Sequence, residues 1–279
     1  MAKSMPKPGP NDKTYVTRQM QYDPYQVVPV DILIPFHGQY QRVYDLCLSL
    51  WKTLGFYHRY NICLIDDASP NEYFIRGFEK APRTVVLRSD ERLGFGGALN
   101  VGFQETKSEF VLILHSDCVA ESHGWLKLLF KTLVDFREQR VGMVSPLTDN
   151  PGATEVLRGE KGQIKKDFIL EEGCLPLYCA LAPREVFQYI KGFVKPYPFG
   201  WYEDEELSHR MRAYGFKLGV SGRSWIHHEG GATVKTIVGE DPKVREIMES
   251  NRERCIADMK RTKQVAQDVA SRIPHRARK

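Results

Sequence analysis

From about residue 27 onward, short apolar runs alternate with amphipathic stretches. Residues 27–36 (VVPVDILIPF) and 110–114 (FVLIL) are nearly continuous apolar runs, as in strands buried on both faces of a parallel sheet. Residues 60–65 and 84–87 give two more short strands. Between them Val43, Leu46, Cys47, Leu50, Trp51 and Leu54 recur at helical spacing, with Gly55 as the stop. Ser69-Pro70-Asn71-Glu72 is a capping box and predicts a helix start. Gly94, Gly96 and Gly97 open a helix carrying Asn100 and Gly102. Further on, Trp125, Leu126, Leu128, Leu129, Leu133 and Val134 fit an amphipathic helix. Short strands are expected at 142–145, 174–181, 216–220 and 224–228, with a mobile polar loop at 150–166. Pro183 opens a helix through Val186, Phe187 and Ile190, and Leu207, Met211 and Tyr214 define another that Gly215 ends. Asp241-Pro242 caps a last helix with Val244, Ile247, Met248, Cys255 and Met259 on one face. Strands alternating with helices call for an α/β fold with a doubly wound parallel sheet.

The 279 residues suffice for one large α/β domain, and 42% apolar with 27% charged residues is ordinary globular composition. The net charge of +5 is unevenly placed: from Lys243 onward 11 Lys and Arg face 5 Asp and Glu, an excess of six. Such an end suits phosphate, an acidic partner or a membrane surface, or is a solvated basic helix. Six cysteines without a C-x-x-C pair read as buried free thiols in a reducing compartment. No apolar run reaches membrane-spanning length, and MAKSMPKPGPNDK has no apolar signal core, so a cytoplasmic location is expected.

Three acidic sites stand at element ends. Asp66-Asp67 and Asp117 close strands in the first half, where ligands gather in open α/β sheets. A carboxylate there accepts from a nucleobase or ribose, or holds a hard divalent ion between phosphates. Glu203 and Asp204 begin a helix in the second half, where a carboxylate can take a proton from a hydroxyl or simply offset the helix dipole. His227 and His228 end a strand before glycines and are candidate metal ligands. The glycine-rich LGFGGALNVG matches neither a phosphate loop nor G-x-G-x-x-G, which argues against ATPases and dinucleotide dehydrogenases.

In order, VDILIPFHGQYQRVYDLCLSL, ICLIDDAS, LGFGGALNVGF, FVLILHSD, GWYEDEELSHRMRAYGF and WIHHEGGAT resemble the motifs of the family-2 inverting glycosyltransferases with the GT-A fold. The resemblance runs from about residue 29 to 233. It implies a GT-A fold: a Rossmann-like, mostly parallel central sheet flanked by helices, with a C-terminal helical tail. Residues 1–26 form an irregular arm. A transferase domain at 27–242 divides into a nucleotide-binding half (27–120) and an acceptor half (121–242), and residues 243–279 make the basic helix and tail. By the same resemblance, Asp66 and Asp67 contact the base and ribose of a UDP- or dTDP-sugar. Pro35, Phe36, His37, Asn100 and Ser116 line the nucleotide site. Asp117 ligates Mn²⁺ or Mg²⁺ with His228 or His227, and H-x-G-x-x-T spacing favours His228. Asp204 is the general base and Glu203 its neighbour. His115 departs from the family by standing where D-x-D has its first acid. Asp204 at a helix N-terminus is expected to have a lowered pKa.

The implied reaction is metal-dependent inverting transfer of a sugar to an acceptor hydroxyl. That hydroxyl belongs to a glycan, a small molecule or a polyanion such as modified DNA. The rival readings are a nucleotidyltransferase and a non-catalytic module binding sugar nucleotides or nucleic acid. Ile34-Pro35-Phe36-His37-Gly38 lacks the basic phosphate grip of the first, and no nucleic-acid motif supports the second.

Overall fold

The structure, a computed structural model, describes residues 28–54, 59–70, 76–231 and 242–271, with side chains up to 265. The arm before residue 28, Asn71 and Glu72 of the capping box, Gly55, Asp241 and the residues after 271 lie outside the described residues. The strands are β1 (Val30–Phe36), β2 (Tyr60–Asp67), β3 (Thr84–Ser89), β4 (Phe110–Leu114), β5 (Cys118–Val119), β6 (Val141–Thr148), β7 (Phe168–Leu170), β8 (Cys179–Pro183) and β9 (Lys217–His228). The helices are α1 (Tyr40–Thr53), α2 (Gly94–Glu105), α3 (Trp125–Asp135), α4 (Arg184–Tyr189), α5 (Glu203–Ala213) and α6 (Pro242–Ser271).

A single path of strands runs β3-β2-β1-β4-β8-β6-β9-β5, with β7 also paired to β9. The apolar runs take its centre: every residue of β1, β4, β6 and β8 is buried. β1 pairs in parallel with β2 and β4, and β2 with β3, so these strands all end on one side. That common end forms the floor of the cleft described below. β8 then enters antiparallel between β4 and β6, and β5 and β7 run antiparallel to β9. The sheet is therefore parallel in its first half and mixed in its second. Among the described residues, no helix is long and apolar enough to cross a membrane.

Three segments differ from the pattern-based expectation. Of the strand expected at 174–181 only the end is strand, β8 beginning at Cys179. Residues 216–220 and 224–228 form one strand, β9, because the turn-like Ser221-Gly222-Arg223-Ser224 is pinned by side chains. Gly222 N–H and Arg223 both donate to Asp167, and Ser224 Oγ donates to the Trp125 carbonyl. A Cβ on Gly222 would stand 2.5 Å from the Lys165 carbonyl, an approach only glycine permits. The 150–166 segment carries a short 3₁₀ turn, Glu155–Leu157, and Thr148 bridges Arg158, which fastens its start to β6.

Candidate active site

β4 delivers His115, Ser116 and Asp117 at its carboxyl end, and two residues of β5 decide what they meet. Cys118 pairs with His228 and Val119 with His227 at the end of β9. Asp117 is thereby set beside His228, with Asp117 Oδ1 3.4 Å from His228 Nε2 and 3.8 Å from His115 Nδ1. One ligand atom from each of these three residues falls within 4.8 Å of the others. His228 Nδ1 stands 2.8 Å from the Asn150 carbonyl and, as its donor, leaves the Nε2 lone pair facing Asp117. Tyr178 stacks on the ring at 5.0 Å and 20°. Nε2 is buried without a well-formed hydrogen bond, and against burial its approach to Asp117 pulls the imidazole pKa up. Burial opposes ionisation of Asp117, yet His228 and His115 hold its carboxyl well below the usual range. Burial pushes His115 down to about 4 against the pull of Asp117, which keeps the imidazole neutral and able to ligate. Two imidazoles and a carboxylate with an unsatisfied lone pair fit a divalent metal ion.

Two placements change the expected metal set. His227 is not brought into it: successive residues of a strand face opposite sides, and His227 Nδ1 meets Asp149 Oδ2 at 2.5 Å instead. His115, which replaces an acid of D-x-D, joins the cluster as a nitrogen donor.

The acid pair is delivered by an unusual turn. Phe199, Gly200, Trp201 and Tyr202 all have positive φ, from 61° to 106°, immediately before α5. For residues with side chains this conformation costs ~1–2 kcal/mol each, so surrounding contacts must hold it. Gly94 and Gly96 at the start of α2 let the chain lie close: a Cβ on Gly96 would be 2.7 Å from the Lys195 carbonyl. The glycine-rich stretch thus serves backbone packing. Glu203 is buried with Oε1 unpaired. Burial, and then neighbouring Asp204, push its carboxyl up to about 8 against the pull of the Gly96 and Tyr197 backbone. Asp204 Oδ1 accepts from the Glu205 N–H at 3.0 Å, and Cys174 Sγ donates weakly to Oδ2 at 3.8 Å. Its pKa is raised by burial, the reverse of the lowering expected at a helix N-terminus, because desolvation outweighs the dipole here.

The nucleotide half divides the other expected residues. Pro35, Phe36, His37, Asp67 and Ser116 line a cleft of about 450 Å³ that also contains Asp117, His228, Glu203 and Asp204. Asp67 accepts from the Leu93 and Gly94 N–H groups at 2.6 and 3.1 Å, tying α2 to β2. Asp66 does not reach the cleft; it is fully buried, paired with Arg88 and accepting from Ser69 N–H. Asn100 is likewise structural, donating to the Val194 carbonyl at 2.7 Å. Arg92, Thr154, Cys174 and Tyr178 line the cleft without having been expected there. Arg92 lies in a charged SDER run that reads as surface, yet its guanidinium stands 3.8 Å from Asp67 and 5.5 Å over the Phe199 ring.

The sequence profile for glycosyl transferase family 2 matches residues 31–174, just over half of the chain. The chain belongs to glycosyl transferase family 2. No curated protein sequence matched it. Solved structures agree on the fold. A Pyrobaculum calidifontis mannosyltransferase, PcManGT, solved with GDP-Man and Mn²⁺, aligns with TM-score 0.59 and 16% identity over 95% of this chain and 83% of its own. GalNAc-T7, solved with UDP, GalNAc and Mn²⁺, aligns with TM-score 0.57 and 19% identity over 74% of this chain and 44% of its own. S. aureus TarS 1-349, solved with UDP-GlcNAc, gives TM-score 0.54 and 14% identity over 71% of this chain and 58% of its own. The chain thus spans less than two thirds of GalNAc-T7 and of the TarS fragment. The family 2 transferase has the GT-A fold, and its profile match takes in His115 and Asp117 but stops before Glu203 and His228.

Proposed function

We propose that this family 2 transferase moves a sugar from a UDP- or dTDP-sugar to an acceptor hydroxyl with inversion at the anomeric carbon, Asp204 acting as general base. The observation that carries the reading is one cleft with a metal-ligand set on its floor and the Glu203–Asp204 pair on its wall. Neighbours solved with UDP, UDP-GlcNAc or GDP-Man support a nucleotide sugar as donor.

His115, Asp117 and His228 would hold a divalent ion. When bound, such an ion neutralises the departing diphosphate and supplies leaving-group stabilisation. Pro35, Phe36 and His37 line the cleft and would pack near the base. Asp204 takes the acceptor proton at its carboxylate, and its raised pKa makes it a stronger base than an exposed aspartate. Glu203, neutral below about pH 8, lines the cleft without adding a second charge beside Asp204. The acceptor hydroxyl thereby loses its proton as its oxygen bonds the anomeric carbon and the diphosphate leaves from the opposite face.

Incubation with a panel of sugar nucleotides tests this. Free UDP or TDP should be released, and the product read by NMR should have the anomeric configuration opposite to the donor. Retention of configuration would overturn the inverting assignment, and release from no donor would remove the transfer reading.

A further inference from the structure

The left-handed turn before the acids is tied from behind by α6, an element outside the segment matched by the family profile. Asn251 is buried, and its amide donates to the Pro198 carbonyl at 2.8 Å and to the Gly200 carbonyl at 2.9 Å. Both hydrogens of one side-chain amide thus bracket Phe199, the first residue of the run with positive φ. One helical turn on, Cys255 Sγ donates to the Tyr202 carbonyl at 3.8 Å, at the end of the run. A further turn on, Asp258 accepts from the Tyr197 hydroxyl at 3.1 Å and pairs with Lys195, also at 3.1 Å. Positions 251, 255 and 258 lie on one helix face, so α6 grips both ends of the turn along a single stripe. Such a backbone persists only where its surroundings over-determine it, and the acids follow it without an intervening residue.

We infer that Asn251 is a positioning residue of the transfer reaction: its amide holds the Pro198–Tyr202 turn in the left-handed form that sets Asp204 in the cleft. This rests on the reading of Asp204 as base. Without the two donors, the Pro198 and Gly200 carbonyls lose their buried partners. Phe199, Trp201 and Tyr202 can then relax to negative φ, and the start of α5 turns away.

The test uses Asn251→Asp, which keeps the shape and removes the donors, with Asn251→Ala as a second variant should the first fail to fold. Two readouts are taken on the full chain labelled with 5-fluorotryptophan. The ¹⁹F resonance of Trp201, assigned by its loss in Trp201→Phe, should shift or split while those of Trp51, Trp125 and Trp225 stay. In transfer assays kcat should fall by ~10²-fold, the cost of misplacing a reacting group by about an ångström, with UDP affinity unchanged. In a Phe199→Gly background, where glycine tolerates the left-handed backbone unaided, the same substitution should cost less than a tenth of that loss. An unchanged Trp201 resonance, or equal losses of kcat in both backgrounds, would overturn the inference. An unsubstituted chain without turnover would instead remove the transfer reading, and the ¹⁹F shift would still decide whether Asn251 holds the turn.

Discussion

Glu203 sits in the first turn of α5, its Oε1 buried and unpaired, with burial as the main force on its proton. A carboxyl raised from 4.5 to about 8 binds a proton more tightly folded than unfolded. Its contribution to stability therefore falls as pH rises through that window and is constant above it. Glu203→Gln removes the penalty. The variant should melt at nearly the parent's temperature at pH 4.5 and several degrees higher at pH 8.5, as calorimetry can measure; the same difference at both pH values would contradict the assignment. The acid pair and its place at the start of a helix were legible in GWYEDEELSHR. The direction of the shifts was not, because burial depends on α2 and residues 195–200 closing over the pair, contacts far apart in sequence.

At the scale of elements, the short β5–β9 pairing assembles the His115, Asp117 and His228 cluster proposed to hold the metal. Asp117 and His228 were readable as strand ends, but not that two residues of β5 would bring them together. Nor was strand alternation enough to choose a histidine before the register was known. Nitrogen donors favour softer first-row ions, whereas Mg²⁺ prefers all-oxygen sites. The chain should bind Mn²⁺ at least tenfold more tightly than Mg²⁺ by calorimetry in the presence of UDP. His115→Asp should narrow that ratio, His228→Ala should abolish binding and His227→Ala should leave it unchanged. Preference for Mg²⁺, or metal affinity indifferent to His115, would contradict the ligand set.

Across the whole molecule, the apolar pattern foretold the parallel first half, whose central strands β1 and β4 are nearly continuous apolar runs. It missed the antiparallel insertion of β8, since a strand buried on both faces looks alike in either direction. The docking of α6 was hidden for a related reason: Asn251 and Asp258 are polar and read as solvent-facing, yet they are buried against the turn. The excess positive charge belongs to this same end of the chain. If the acceptor is a polyanion, removing residues 272–279 should weaken its binding and flatten the salt dependence, because fewer counterions are released. Donor hydrolysis should stay intact; an unchanged salt slope would mean the tail plays no part in acceptor binding.

The central claim, that Asp204 removes the acceptor proton, is tested most directly by kcat of Asp204→Asn with UDP affinity measured alongside. The substitution keeps the shape and removes the basicity. The account predicts that kcat falls by ~10²–10⁴, the usual share of general base catalysis, while UDP binds as before. A variant that turns over at the parent rate would contradict it.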